Sequence, residues 1–278
     1  MKHRRGGALF YCENRAKGVD KVYMGAFLYV FLMCMGAAVG SFLNVLILRI
    51  PEGQSIVLPS SHCPKCGHSI RVYDNIPIIS YLILRGRCRD CHEKISMQYP
   101  FIETVTVIMS LLLFLKFGLS FKYLSSFIFT CALIVITFID LRHQIIPDVI
   151  SLPGIPVFFF LAVFFMNLTV WESVLGILIG GGCLFAIAFL YEIITKREGM
   201  GGGDIKLLAM LGAFLGWKSL FFVLFVSSLL GAVVGVSAMI IKGQDMKYAV
   251  PFGPFLSIAA VVYLFVGADV MKFLFFYY

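Results

Sequence analysis

The sequence predicts an all-α polytopic membrane protein of about eight transmembrane helices, with a small cytoplasmic zinc-ribbon-like domain between the first two. Three observations carry this. Of 278 residues, 60% are hydrophobic and only 14% charged, more apolar surface than a soluble domain of this length can bury. The apolar residues fall in long runs, most of them long enough to cross a bilayer. Between the first two runs lies a polar segment that holds two CxxC pairs.

Residues 1–21 form a polar N-terminal extension with Lys2, Arg4, Arg5, Arg15, Lys17 and Lys21. The apolar run behind it is too long for a signal-peptide h-region, and no small-residue cleavage site follows. Residues 22–48 are therefore expected to be a retained first transmembrane helix, with Met24 as an alternative start. Residues 49–100 turn polar and carry Pro51, Pro59, Pro64, Pro77 and Pro100, which marks an extramembrane domain. Residues 101–278 then form a second domain of about seven helices, expected at 101–117, 121–139, 150–169, 172–194, 205–217, 219–241 and 252–276. The 205–217 segment is short for a crossing, so it is expected to be tilted or joined to its neighbour by a bend at Gly216.

Alternating spans put the loops at 49–100, 140–149, 195–204 and 242–249 on one side. These hold Arg49, Lys65, Arg71, Arg85, Arg87, Arg89, Lys94, Arg142, Lys196, Arg197, Lys242 and Lys247, against Lys116, Lys122, Lys218 and Lys272 opposite. The positive-inside rule makes the larger set cytoplasmic, although the basic residues before the first span oppose it. The net charge of +8 therefore reads as topology and attraction to anionic lipid, with no nucleic-acid partner.

Cys63-Pro64-Lys65-Cys66 and Cys88-Arg89-Asp90-Cys91 are two knuckles separated by 21 residues. Each loop aims two thiolates at one ion, and two loops complete a tetrahedron. Lys65, Arg87 and Arg89 favour the thiolate form. Two disulfides or a redox pair are the competing readings, and disulfides are disfavoured on a cytoplasmic loop. The expected metal is a structural Zn2+ on Cys63, Cys66, Cys88 and Cys91, with His62, His68 and His92 in reserve. A domain of about 50 residues builds little core, so the ion is expected to hold it folded.

Asp204 follows Gly201, Gly202 and Gly203 and precedes an apolar segment, where an ionised carboxylate is costly. The glycines allow a sharp turn and a close approach by another backbone. Asp140 closes a long apolar run, and Asp148 opens the next. Two carboxylates brought together share a proton and can act as base on water and acid on a carbonyl. Helix capping and salt bridges to Arg142, Lys206 or Lys196 explain the same residues without chemistry.

Several segments together resemble the prepilin peptidases, or type IV leader peptidases. They are GSFLNVLILRIP (40–51), CPKCGHSIRVYDNIPIISYLILRGRCRDCHEKISMQYPFIE (63–103), FIDLRHQIIPD (138–148), GMGGGDIKLLAMLGAFLGW (199–217) and PFGPFL (251–256). They run in the family's order and cover the chain from about Met24 onward. The resemblance implies a GxGD-type aspartyl membrane protease of the bacterial inner membrane with its active site facing the cytoplasm. It implies cleavage of the basic leader from type IV prepilins or pseudopilins, then N-methylation of the new terminus with S-adenosylmethionine. The family's catalytic pair matches Asp140 and Asp204, with Asp148 as competitor for the first role. Its tetracysteine segment matches Cys63, Cys66, Cys88 and Cys91, so residues 49–100 correspond to its methyltransferase-associated domain.

Gly201 and Gly203 are expected to admit the substrate backbone, and Pro251-Phe252-Gly253-Pro254 is either a wall of the site or a plain helix start. No Rossmann fingerprint for the methyl donor is visible. Glu52, Asp74, Asn75 and Glu103 are the polar candidates to hold donor or amine, each also explicable structurally. The competing functions are a peptidase without methylation, a transporter and a membrane-anchored zinc-ribbon adaptor.

Overall fold

The computed structural model describes residues 5–195, 201–242 and 251–275. The parts of the expected loops at 196–200 and 243–249, with Lys196, Arg197 and Lys247, lie outside them, as do the side chains of the 1–21 extension. The described residues are almost wholly helical. In order the helices are α1 (Arg5–Arg49), α2 (Ile79–Ile83), α3 (Gln98–Phe117), α4 (Phe121–His143), α5 (Asp148–Phe165), α6 (Val170–Ile177), α7 (Leu184–Thr195), α8 (Gly202–Leu215), α9 (Trp217–Lys242) and α10 (Gly253–Phe275). A 3-10 turn, Val72–Asn75, precedes α2, and a π-helical turn, Leu178–Cys183, joins α6 to α7.

Among the described residues, six helices are long and apolar enough to cross a membrane: Gly25–Arg49, Gln98–Phe117, Phe121–His143, Asp148–Phe165, Val170–Thr195 and Trp217–Ser237. The described apolar part of α10, Gly253–Gly267, is shorter. The segment expected at 205–217 is α8, whose 14 residues reach about 21 Å against a hydrocarbon core of about 30 Å. Gly216, at φ +81°, breaks the chain between α8 and α9, a backbone conformation that glycine adopts without strain.

The chain divides into two compact units, one of Met1–Ser41 with His62–Leu112 and one of Phe42–Ser61 with Leu113–Tyr278. In the first, Gly36 and Gly40 of α1 face α3. A Cβ on Gly40 would lie 2.7 Å from the Glu103 Cα, and one on Gly36 would lie 3.0 Å from the Val107 Cα. Lipid tails compete equally for apolar side chains, so backbone approach between small residues, not hydrophobicity, joins two such helices.

The second unit is built around α8, whose residues Leu207–Phe214 are all buried. It contacts α5, α6, α9 and α10. The closest approach is between Gly176 and Gly212, where a Cβ on either would fall 2.1–2.2 Å from the other's carbonyl oxygen. Gly180 of the π turn meets the Leu208 carbonyl in the same way, at 2.6 Å. Phe129, Phe158 and Phe214 interlock from α4, α5 and α8 with ring centroids 4.2–5.7 Å apart, each pair adding about 0.5–1.5 kcal/mol to its area burial. α8 is thus held as a rigid central post, and its first turn carries Asp204.

Candidate active site and metal centre

Three chain segments form one cavity of about 430 Å³, lined by Asp140, Gln144 and Ile146 from the end of α4, Gly201, Gly203 and Asp204 from the start of α8, and Pro251 and Phe252 before α10. Asp140 is 5% exposed. Its helix ends at Gln144, which takes the left-handed conformation (φ +54°) and donates its N–H to the Asp140 carbonyl at 2.9 Å. The Asp140 Oδ2 accepts the Gly253 N–H at 3.0 Å. Gly253 opens α10, so a backbone amide at the positive end of a helix fixes this carboxylate. Asp204, three residues into α8, is half-buried and lines the same cavity. The structure thus brings the two carboxylates to one cavity.

Asp148, at the start of α5, lines the same cavity but has a partner of its own. Both its oxygens accept from Lys206 Nζ, at 2.7 and 2.8 Å. The Lys206 salt bridge considered for the site aspartates therefore belongs to Asp148, and it ties the start of α5 to α8 two residues beyond Asp204.

The glycines have separate reasons. A Cβ on Gly203 would lie 2.9 Å from the Ile146 Cβ, so packing against Ile146 already explains this glycine, which was expected to face substrate. Among the described residues, a Cβ on Gly202 would meet nothing within 4 Å, and the nearest atom to one on Gly201 is the Asp204 Oδ2 at 3.9 Å. These two leave open room beside the carboxylate. Gly253 is the residue sequence reasoning missed. The PFGP segment was singled out, and it is both helix start and wall, but no local pattern connects it to a side chain on α4.

In the other unit the Sγ atoms of Cys63, Cys66, Cys88 and Cys91 all lie within 4.8 Å of one another. A zinc–sulfur bond of about 2.3 Å sets tetrahedral edges of about 3.8 Å, and the Cys63 and Cys91 sulfurs are 3.8 Å apart. The residues fit the ion. Each knuckle is closed by a bridge, His62 to Ser69 and Arg87 to Lys94. The Cys66 and Lys65 backbone N–H groups hold the Cys63 thiol down at about 6. Against the Glu93 backbone N–H, burial and the neighbouring thiols push Cys91 up to about 12. One thiolate forms readily and the next ones repel it, a conflict that a divalent cation removes. No histidine belongs to the cluster among the described residues.

Three of the four polar candidates for donor or amine have protein partners. Arg89 donates to both oxygens of Asp74, at 2.5–3.1 Å, and this partner holds the Asp74 carboxyl below the usual range. Glu52 accepts from Gln54, and buried Glu103 accepts the Ile78 N–H at 2.7 Å. Asn75 closes the exposed 3-10 turn.

Comparison with known proteins gives two family matches. Residues 34–117 match the bacterial peptidase A24 N-terminal domain, and residues 127–236 match the type IV leader peptidase family. A Pseudomonas putida protein named prepilin leader peptidase/N-methyltransferase is 35% identical over 88% of this chain and 93% of its own length. Proteins of the same name from Pseudomonas aeruginosa and Aeromonas hydrophila are 33% and 35% identical, over 90% and 92% of this chain and 95% of each relative. No solved structure matches.

Proposed function

This chain belongs to the type IV leader peptidase family, and on that premise we propose that it is a multi-pass membrane enzyme that removes the basic leader of type IV prepilins or pseudopilins and methylates the new N-terminus. The observation that carries the peptidase reading is that Asp140 and Asp204 line one cavity, while the third aspartate there, Asp148, is paired with Lys206. Two neighbouring carboxylates do not both ionise easily, so the pair holds one proton between them. The ionised aspartate takes a proton from water while the protonated one hydrogen-bonds the scissile carbonyl. The roles reverse as the amine leaves. Asp148 is the weaker candidate, because Lys206 engages both of its oxygens.

The substrate's apolar helix lies in the bilayer with its leader in the cytoplasm, which delivers the scissile bond to the inner-membrane surface. Gly201 and Gly202 leave the room for its backbone. Residues 49–100 serve as the methyltransferase-associated domain, with zinc as a cross-link between its knuckles. The methyl group would come from S-adenosylmethionine. Asp74, Glu52 and Glu103 are engaged with protein partners, so no step of the transfer is assigned to them.

The test is mass spectrometry of a prepilin carrying a basic leader, incubated with the full-length protein in lipid and S-adenosylmethionine. The expected product lacks the leader and gains one methyl group on its terminal nitrogen. A shortened, unmethylated product leaves only the peptidase, and an uncut substrate overturns the proposal in favour of a transporter or adaptor.

Gly253→Ala is a sharper probe of the site. The added Cβ would stand 2.6 Å from the Asp140 Oδ2 and 3.3 Å from both the Asp140 Cγ and the Ile146 Cδ1. The carboxylate has to move, and its bond to the amide lengthens. Misplacing a reacting group by a fraction of an ångström to an ångström costs up to about 10²-fold. We expect cleavage slowed by about 10–10²-fold with little change in melting temperature; an unchanged rate would mean that this amide does not position Asp140.

A further inference from the structure

The stretch from Val72 to Ile83 presents a row of apolar side chains that the described protein does not cover. Val72 is 90% exposed, Leu82 68% and Ile83 70%, and Ile76 and Ile79 are also exposed. Neighbouring apolar groups left in water cost roughly 25 cal/mol per Å², and a patch of them marks an interface.

Two hydrogen bonds fix the depth of this stretch along the span α3. The Tyr81 hydroxyl donates to the Met97 sulfur at 2.8 Å, immediately before α3 begins. The Ile78 N–H donates to Glu103 Oε2 at 2.7 Å. Glu103 is five residues into the helix, about 8 Å along its axis. Ile78 takes φ +61° to make this bond, a conformation that branched side chains rarely adopt. The α2 turn therefore sits level with the first turns of α3. Exposed Arg85 and Arg87 follow α2 directly, and the bridge between Arg87 and Lys94 adds a third cation. Asp74, the nearby acid, is already taken by Arg89, while Asp90 and Glu93 are exposed on the second knuckle.

We propose that residues 72–83 are an interfacial membrane anchor, with Val72, Ile76, Ile79, Leu82 and Ile83 among the headgroups and upper acyl chains of the leaflet at the start of α3. Arg85 and Arg87 reach the phosphates of anionic lipid, as basic residues beside an apolar interfacial face do. The anchor rests on the membrane fold and does not depend on the peptidase reading.

The chain has two tryptophans, so the full-length Trp171→Phe, Trp217→Phe protein offers a silent background. In it, Leu82→Trp and, separately, Ile79→Trp report on the patch in bilayers of phosphatidylcholine and phosphatidylglycerol. Lipids brominated near the headgroup are expected to quench either reporter by about two-fold or more, with weak quenching by aqueous acrylamide. Strong acrylamide quenching without lipid quenching means an open surface, and protection from both means a protein cover; either overturns the anchor. Adding Arg85→Gln and Arg87→Gln should reduce lipid quenching in the mixed bilayer but not in phosphatidylcholine alone. Equal quenching in the two would remove the phosphate contact from the proposal. Zinc content checks that each variant is folded.

Discussion

Asp140→Asn and Asp204→Asn are each expected to slow prepilin cleavage by about 10³-fold or more, because each carboxylate serves as both acid and base during a turnover. An amide keeps the shape of the side chain but can neither accept the water proton nor return it to the leaving amine. Asp148→Asn sets the contrast. It removes only the ion pair to Lys206, whose partners are 55% and 35% exposed. A pair so open to solvent contributes roughly 0–1 kcal/mol, so cleavage should stay within a few-fold of the wild type. Initial rates on the same peptide decide it, normalised to inserted protein. Full activity in either of the first two variants sinks the dyad, and equal losses in all three would make Asp148 a partner in the chemistry.

Removing the metal should have the second large effect, on folding. Among residues 62–97 only Cys63 and Gly86 are buried, so this segment has almost no core to fall back on. Structural zinc supplies about 10 kcal/mol or more to such domains. Chelation, or Cys63→Ser, should release one zinc ion per chain and raise hydrogen exchange at the two knuckles to the rate of an open chain. The helices from α4 onward, with their own core around Phe129, Phe158 and Phe214, should keep their protection. A protein that purifies without zinc and still protects both knuckles would overturn the metal assignment.

The membrane class and the tetracysteine cluster were both legible along the chain, for one physical reason. Each is a local property, a run of apolar residues in one case and two thiol pairs in short loops in the other. The motif glycines were legible as positions but not as reasons. Gly203 is small because Ile146 packs on it, and Gly212 because the backbone of Gly176 touches it. Both partners lie far away in sequence. The helix boundaries were less accurate where hydropathy is continuous. The expected 172–194 helix is interrupted by a π turn at Leu178–Cys183, which holds Gly180, Gly181 and Gly182 but leaves the hydropathy of the segment unbroken.

The sequence by itself determined that this chain spans a membrane many times, that four cysteines can hold one zinc, and that Asp140 and Asp204 are the carboxylates to test. Only the tertiary structure decided that α8 is a buried post, that Lys206 occupies Asp148, and that the Gly253 amide holds Asp140. Hydropathy does not separate a helix facing lipid from one facing protein, because the two surroundings are similarly apolar. The partner of a buried carboxylate is set by which helix ends meet, and that is a property of the packed chain alone.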